Sequence, residues 1–348
     1  MRVSLFDYFL PGDRIAQDPR PRGTGPLLVL DRASGAVTHR QFSELPELLR
    51  PGDLLVRNDV RVRHARLYGK DAQGRLIEIF LLEPLEKERH RWLALARPGR
   101  RAKEGSAVGF EEGMVGRVER VRDDGKREVR FDRPIDEELL DRIGHVPLPP
   151  YIHREAGAVD RRDDRLAYQT VFAKESLAVA APTAGLHFTN EILERVRGRG
   201  IAIADLTLSV GAGTFKPVTA EDTSAHSLEL EDVLLPASTL ARVRETRRDG
   251  GRLVAVGTTV TRALEAAARL PKGLDSGEDL RFSTGLFITP GFEFRVIDLL
   301  LTNFHLPRST LLMLVCTFGG RENVLAAYQA AIDGGYLFYS YGDAMLIA

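Results

Sequence analysis

The chain has a single cysteine, Cys316, among its 348 residues. That excludes an internal disulfide, a thiolate zinc site and an iron–sulfur cluster. Its setting, LLMLVCTF, marks it as a small buried hydrophobe. Net charge is also lacking. The 49 Lys and Arg balance the 49 Asp and Glu, so any polyanion must be met by a local basic patch. No apolar run approaches the roughly 20 residues of a membrane helix. The opening MRVSLFDYFLPGDR has no long apolar core and no small-residue cleavage site. No signal peptide is therefore expected, and the expected location is the cytoplasm. What remains is an ordinary globular composition, 43% hydrophobic and 28% charged, long enough for two domains.

Texture divides the chain. Residues 1 to 61 mix short apolar runs, such as Leu27–Leu30 and Leu54–Val56, with Pro/Gly turns. From 62 to 145, short alternating strands are broken by turn signals such as Pro98-Gly99 and Asp123-Asp124-Gly125, which predicts a small antiparallel β-barrel. From 146 to 348 the pattern is α/β. Strands are predicted at 177–181, 201–208, 253–257, around Phe287 and at 311–318. Helices are predicted at 190–199, 237–249, 260–269, 297–302 and 321–334. The expected architecture is an α/β domain with a mostly parallel sheet (1–61 and 146–348), interrupted by the inserted barrel domain (62–145).

Several turns carry groups suited to a site. Leu177 to Arg197 reads as strand, tight turn (Thr183, Ala184, Gly185), His187, then a helix capped by Thr189 or Asn190. This brings backbone N–H groups, a hydroxyl and an imidazole to one helix start, a setting for a polar ligand beside a proton-transfer group. It also serves as plain connection. Gly211, Gly213, Thr214 and Lys216 form a glycine-rich turn whose spacings match neither a P-loop nor a dinucleotide fingerprint. Gly257-Thr258-Thr259 ends a strand and opens a helix bearing Arg262, the position where α/β sheets bind ligands. Asp59 stands between Arg57 and Arg61, which reads equally as an ion-pair network. Asn303 and His305 share a loop, Asp343 follows a run of aromatics, and His226 sits in a polar loop near Glu229 and Glu231. No metal site is expected.

Taken in order, PTAGLHFT, VGAGTFKPV, AVGTT, NFHLPRSTLLMLV and YSYGDAMLI resemble the S-adenosylmethionine:tRNA ribosyltransferase-isomerase family of queuosine biosynthesis. FDYFLPGDRIAQDP, PGDLLVRND, ARPGRR, GHVPLPPYI and YQTVFA are similar to the same family. The resemblance runs from about Phe6 to Ile347. It implies the same two-domain plan. It also implies that S-adenosylmethionine is a consumed substrate rather than a cofactor. Its ribosyl group would pass to the preQ1 base at the wobble position of tRNA, giving epoxyqueuosine with loss of adenine and methionine.

That chemistry implies roles. His187 is the first choice for proton transfer, with Asp59, His305 and Asp343 as further acid/base or orienting groups. Thr183, Gly185, Gly211, Gly213, Thr214, Thr258, Thr259, Arg262, Asn303 and His226 would bind substrate. Arg61, Arg97, Arg100, Arg101 and Lys216 would meet tRNA phosphates near the anticodon. The expected partners are S-adenosylmethionine and preQ1-modified tRNA, with no membrane and a monomeric chain. The sequence departs from the family pattern at Ser209, Thr223, Leu228, Gly285 and Thr289, and at Val60 and His64. A diverged paralogue using another acceptor and a non-catalytic tRNA-binding protein are the alternatives. A methyltransferase lacks support, since no glycine-rich strand–helix opening of that kind is present.

Overall fold

The computed structural model describes residues 1–156, 160, 162–209 and 220–348. They form two compact units, Met1–Arg61 with Gln169–Glu175 and Ala181–Ala348, and Val62–Tyr168 with Ser176–Ala180. The second unit is longer than the 62–145 expected, because residues up to Tyr168 cluster with the barrel.

In chain order the strands are β1 (Pro26–Leu30), β2 (Val37–Gln41), β3 (Leu54–Asn58), β4 (Val60–Val62), β5 (Arg66–Lys70), β6 (Leu76–Pro84), β7 (Arg91–Arg97), β8 (Ala107–Gly109), β9 (Val115–Val121), β10 (Arg127–Phe131), β11 (Glu175–Ala178), β12 (Ala202–Leu208), β13 (Glu231–Leu235), β14 (Leu253–Val256), β15 (Leu280–Thr284), β16 (Leu299–Asn303) and β17 (Ala344–Ile347). The helices are α1 (Leu45–Leu48), α2 (Glu137–Ile143), α3 (Arg162–Ala167), α4 (Asn190–Gly198), α5 (Ala237–Arg248), α6 (Thr258–Ala267), α7 (Thr310–Gly319) and α8 (Arg321–Asp333).

The first unit is built on a nine-stranded sheet of order β15-β13-β12-β3-β14-β16-β17-β1-β2. β12, β3, β14 and β16 run parallel, as do β17 and β1. The other neighbours are antiparallel, so the sheet is mixed, with the expected parallel part at its centre. Every residue of β3, β14, β16 and β17 is buried. This is the burial of strands covered on both faces: β14 and β17 are apolar throughout, and β3 and β16 are apolar until their carboxyl ends, where Arg57-Asn58 and Thr302-Asn303 stand. One face packs Leu55, Val254, Val256, Leu299 and Leu301 against Phe42, Phe188 and the apolar stripe Ile192, Leu193 and Val196 of α4. Thr189 starts that helix by accepting the Ile192 N–H at 3.2 Å.

Two elements are the reverse of the sequence expectation. Residues 297–302, expected as helix, lie largely in strand β16, and 311–318, expected as strand, lie inside helix α7. Both are nearly all apolar, so neither shows a period that separates helix from strand. Capping decides the second: Ser309 Oγ accepts the Leu312 N–H at 3.1 Å. Phe287 lies outside any strand, and the edge is formed by β15 instead.

The second unit contains the expected barrel, closed in the order β10-β7-β6-β5-β8-β9. Leu67, Ile77, Ile79, Leu81, Trp92, Val118 and Val129 are buried there. Alternate residues along β5, β6 and β9 are more exposed, the period-2 pattern of a small barrel. Helices α2 and α3, which the sequence reading did not anticipate, belong to the same unit. Among the described residues no helix is long and apolar enough to cross a membrane.

Candidate active site

Because β12, β3, β14 and β16 are parallel, their carboxyl ends meet at one edge of the sheet. β17 runs against β16, with Asn303 opposite Ala344, so Asp343 begins its strand at that same edge. Residues ending or entering these strands therefore converge where α/β sheets bind ligands.

At the end of β3, Asn58 extends the ladder with its side chain. Its Oδ1 accepts the N–H groups of Leu208 (3.1 Å) and Val60 (3.2 Å), and its Nδ2 donates to the Leu208 carbonyl (3.0 Å). The next residue, Asp59, is thereby fixed and buried. Thr207 on β12 donates its hydroxyl to Asp59 Oδ1 at 2.7 Å. Lys174 Nζ lies 3.2 Å from Asp59 Oδ2 and 2.7 Å from Asp205 Oδ2. Asp205 also takes Arg57 Nε at 2.6 Å, and the Arg57 guanidinium lies 4.1 Å from the Phe172 ring centroid. Burial works to raise the Asp205 pKa, but Arg57 and Lys174 outweigh it and hold the group low. Hydrogen bonding to Asp205 is the largest cause of the raised Lys174 pKa. Lys174 was missed in the sequence. It sits in YQTVFAKES with no local signal, and its carboxylates come from β12 (Asp205) and from the link between β3 and β4 (Asp59).

The turn Thr183–His187 packs against β16. It fits closely only because residue 185 lacks a side chain. A Cβ at Gly185 would stand 2.8 Å from Phe172 Cζ and 2.9 Å from Thr170 Cγ2. His187 stacks on Phe42 at 5.0 Å between centroids. Burial pushes its pKa down to about 4, with the Asn303 side chain acting in the opposite direction. His187 Nε2 and Asn303 Oδ1 are both buried without a hydrogen-bond partner. Asn303 Nδ2 donates to the carbonyl of Tyr339, a bulky residue held at a φ of 73°. Asp343 is buried, and burial raises its pKa. Its Oδ2 accepts the Leu337 N–H at 2.8 Å, and Oδ1 lies 3.2 Å from Arg20 Nε, outside hydrogen-bond alignment. Gly257, at a φ of 96°, turns β14 into α6 and places buried Thr258 and Thr259 at the helix start.

The structure thus brings Thr183, Gly185, His187, Thr258, Thr259, Asn303, Asp343 and Asp59 to strand ends on one edge. Other candidates stand in different surroundings. His305 is enclosed: its Nε2 lies 2.8 Å from Thr302 Oγ1, its N–H donates to the Tyr328 hydroxyl, and burial pushes its pKa to about 3. Arg262 is committed to Glu231 at 2.6 Å and to the Leu286 carbonyl at 3.0 Å. His226 meets Phe287 edge-on. Arg61 follows Asp59 and is half-buried. Arg97, Arg100 and Arg101 belong to the barrel unit, where Arg97 and Arg100 are exposed and Arg101 donates to the Leu76 carbonyl. Gly211, Gly213, Thr214 and Lys216 lie outside the described residues.

Of the departures from the family pattern, two are neighbours: a Cβ at Gly285 would stand 3.2 Å from the Leu228 carbonyl oxygen. Thr223 accepts the N-terminal ammonium at 3.2 Å. Among the described residues no group of His, Cys, Asp or Glu is placed to hold a metal ion.

An α/β sheet edge crowded with buried, partly unsatisfied polar groups, in a chain that also carries a closed barrel, is the plan of an enzyme acting on a polar small molecule. Comparison with known proteins names the family. The model described as "Queuosine biosynthesis protein" matches residues 3–347, and the chain belongs to that family. It is 45% identical over its full length, and that of the relative, to the S-adenosylmethionine:tRNA ribosyltransferase-isomerase of Thermosipho africanus. It is 47% identical, again with 100% of both chains covered, to the protein of that name from Trichlorobacter lovleyi. The crystal structure of S-adenosylmethionine tRNA ribosyltransferase from Thermotoga maritima is similar with a TM-score of 0.57 and 38% identity, covering 99% of this chain and 100% of that one.

Proposed function

We propose that the sheet edge is the catalytic centre of an S-adenosylmethionine:tRNA ribosyltransferase-isomerase, with S-adenosylmethionine consumed as a substrate and no resident cofactor or metal. The acceptor is the preQ1 base at the tRNA wobble position, and the products are epoxyqueuosine, adenine and methionine. The chain works as a monomer in the cytoplasm on the anticodon region of the tRNA.

One observation carries the assignment to this edge. His187 Nε2 and Asn303 Oδ1 are buried with no aligned hydrogen bond beyond the Asn303 side chain's action on the His187 ring, and Asp343 Oδ1 stands beside the same strand end, 3.2 Å from Arg20 Nε. A buried unpaired polar group costs about 1–3 kcal/mol, so a cluster of them is what a ligand completes. The two side-chain oxygens accept. S-adenosylmethionine offers matching donors in its ribose hydroxyls, its α-ammonium and its adenine amino group. The neutral His187 ring takes the C5′ proton, and the electron pair left on carbon is stabilised by the adjacent sulfonium. In balance, the C5′–H, C5′–sulfur and glycosidic bonds break. The uncharged preQ1 amine forms a carbon–nitrogen bond to the ribosyl unit and gives up a proton, and the electron pair left at C5′ goes into the new ring bonding of the epoxycyclopentanediol. Adenine leaves with the glycosidic pair and takes a proton, methionine keeps the C5′–sulfur pair, and one proton is released net. Asp59, held by Thr207 and Lys174, and Asp343 orient the reacting groups, while His305 braces the loop behind them.

The test is incubation with S-adenosylmethionine and preQ1-modified tRNA, followed by mass analysis of nucleosides and small molecules. Epoxyqueuosine with adenine and methionine is expected. Adenine release independent of the tRNA would move the chain to another acceptor, and tRNA binding without product would make it a binding protein.

A further inference from the structure

GHVPLPPYI, one of the stretches that carries the family resemblance, belongs to the second unit. It lines a cavity of about 390 Å³ there, a volume in the range of small-molecule sites. Arg66, Tyr68, His145, Arg154, Glu155 and Asp160 form much of its wall.

Asp160 and His145 are arranged as an oriented pair. His145 Nδ1 lies 3.0 Å from Asp160 Oδ1, and Asp160 Oδ2 accepts the Val146 N–H at 2.9 Å and Arg165 Nε at 3.2 Å. Burial works to raise the Asp160 pKa, but these three partners outweigh it and hold the group below the usual carboxylate range. A carboxylate only accepts, so Nδ1 carries a ring proton towards Asp160, and Nε2 is the ring's remaining polar atom. The Tyr68 ring meets His145 edge-on at 4.9 Å. Arg66 Nη2 donates to the Leu148 carbonyl at 2.8 Å, while its Nε is buried with no hydrogen bond and stands 3.7 Å from Glu78.

Arg154 is closed on Asp164 through Nε (2.7 Å) and Nη2 (3.0 Å), so the Arg66 guanidinium, the Tyr68 ring and the fixed His145 imidazole are the groups offered to a ligand, a set that suits a nucleoside phosphate. We infer that this cavity takes one nucleotide of the RNA substrate, its phosphate at Arg66 and a sugar hydroxyl or base amino group at His145 Nε2. The inference rests on the proposed tRNA acceptor.

The experiment measures binding of an anticodon stem-loop RNA to the full chain, beside binding of S-adenosylmethionine and the thermal midpoint. His145→Asn keeps an N–H donor near the place of Nδ1 and loses Nε2, and it is expected to weaken RNA binding about tenfold. Arg66→Met is expected to weaken it similarly and to lower the salt dependence by about one phosphate contact. S-adenosylmethionine binding stays at the wild-type value in both. Folded variants that bind the RNA like wild type overturn the inference. So does adenosine or guanosine monophosphate displacing the RNA at concentrations below the RNA's own Kd, which assigns the cavity to a free nucleotide. A wild-type chain that binds no RNA removes the tRNA acceptor and this inference together, whereas unaffected variants of an RNA-binding chain remove only the latter.

Discussion

Lys174 Nζ stands 3.2 Å from Asp59 Oδ2, and the same ammonium holds Asp205 at 2.7 Å. Lys174 is more than half exposed, at 59%, so the ion pairs themselves add under about 1 kcal/mol of stability. Their effect is on placement. Lys174→Met leaves two carboxylates without the cation between them. Adenine release is expected to slow about 10- to 100-fold, with a thermal midpoint only a few degrees lower, and Lys174→Arg should recover part of the rate. Asp59→Asn retains an oxygen to accept from Thr207 but loses the charge, and should slow turnover at least as much. An Asp59→Asn enzyme running at the wild-type rate would remove Asp59 from the site.

The two buried histidines set a pH dependence of stability. His187 sits at about 4 and His305 at about 3, both lowered by burial from an unfolded value near 6.5. Between those limits the unfolded chain binds more protons than the folded one, so stability falls as pH falls. It is complete above about pH 6.5 and is lost progressively towards pH 4 and below. Each histidine accounts for a loss of about 3 kcal/mol between pH 6.5 and pH 4. Thermal midpoints of wild type and His305→Gln between pH 4 and 7 check this, and the variant is expected to show the shallower acid slope. Parallel slopes would mean that His305 titrates normally.

Gly185 is required by contact, since its φ is ordinary. Alanine there would press Phe172 and Thr170, costing about 1–3 kcal/mol in overpacking. Phe172 also carries the Arg57 guanidinium, so the strain reaches the Asp205–Lys174–Asp59 network. Gly185→Ala is expected to lower the affinity for S-adenosylmethionine measurably by calorimetry, and Gly198→Ala, with open space around it, to leave that affinity unchanged.

The barrel was legible because alternation and turn residues report themselves locally. The strand–turn–helix around His187 was legible for the same reason: Pro182 and Thr189 punctuate it. Two apolar runs were not. Leu299–Asn303 and Thr310–Gly319 are both centred on leucine-rich runs with no clear period; the second becomes helix behind its Ser309 cap, and the first takes its place in the sheet beside β14 and β17. The site was half legible. His187 stands in a marked turn, and Asn303 and Asp343 stand at strand ends. Lys174 carries no such mark, because its meaning lies in Asp59 and Asp205, which are 115 and 31 residues away in the chain (174 − 59 and 205 − 174). Glu231, the partner of Arg262, was hidden in the same way.

That last pair yields a prediction which separates structure from binding. Arg262 Nη1 and Glu231 Oε2 meet at 2.6 Å with both side chains 5% exposed, and Arg262 also donates to the Leu286 carbonyl. An arginine this enclosed joins α6 to β13 and to the loop after β15. Removing either residue breaks a buried ion pair, a loss of about 3–5 kcal/mol. Arg262→Met and Glu231→Gln should therefore each lower the denaturant midpoint strongly. The double variant should be less destabilised than the sum of the two, because the same ion pair is lost only once. Turnover per folded molecule is expected to fall far less than for His187→Ala. An Arg262→Met chain with a wild-type midpoint and a raised KM for S-adenosylmethionine would instead make Arg262 a substrate contact, and would place the ligand's carboxylate at the buried Nη2, which has no hydrogen-bond partner.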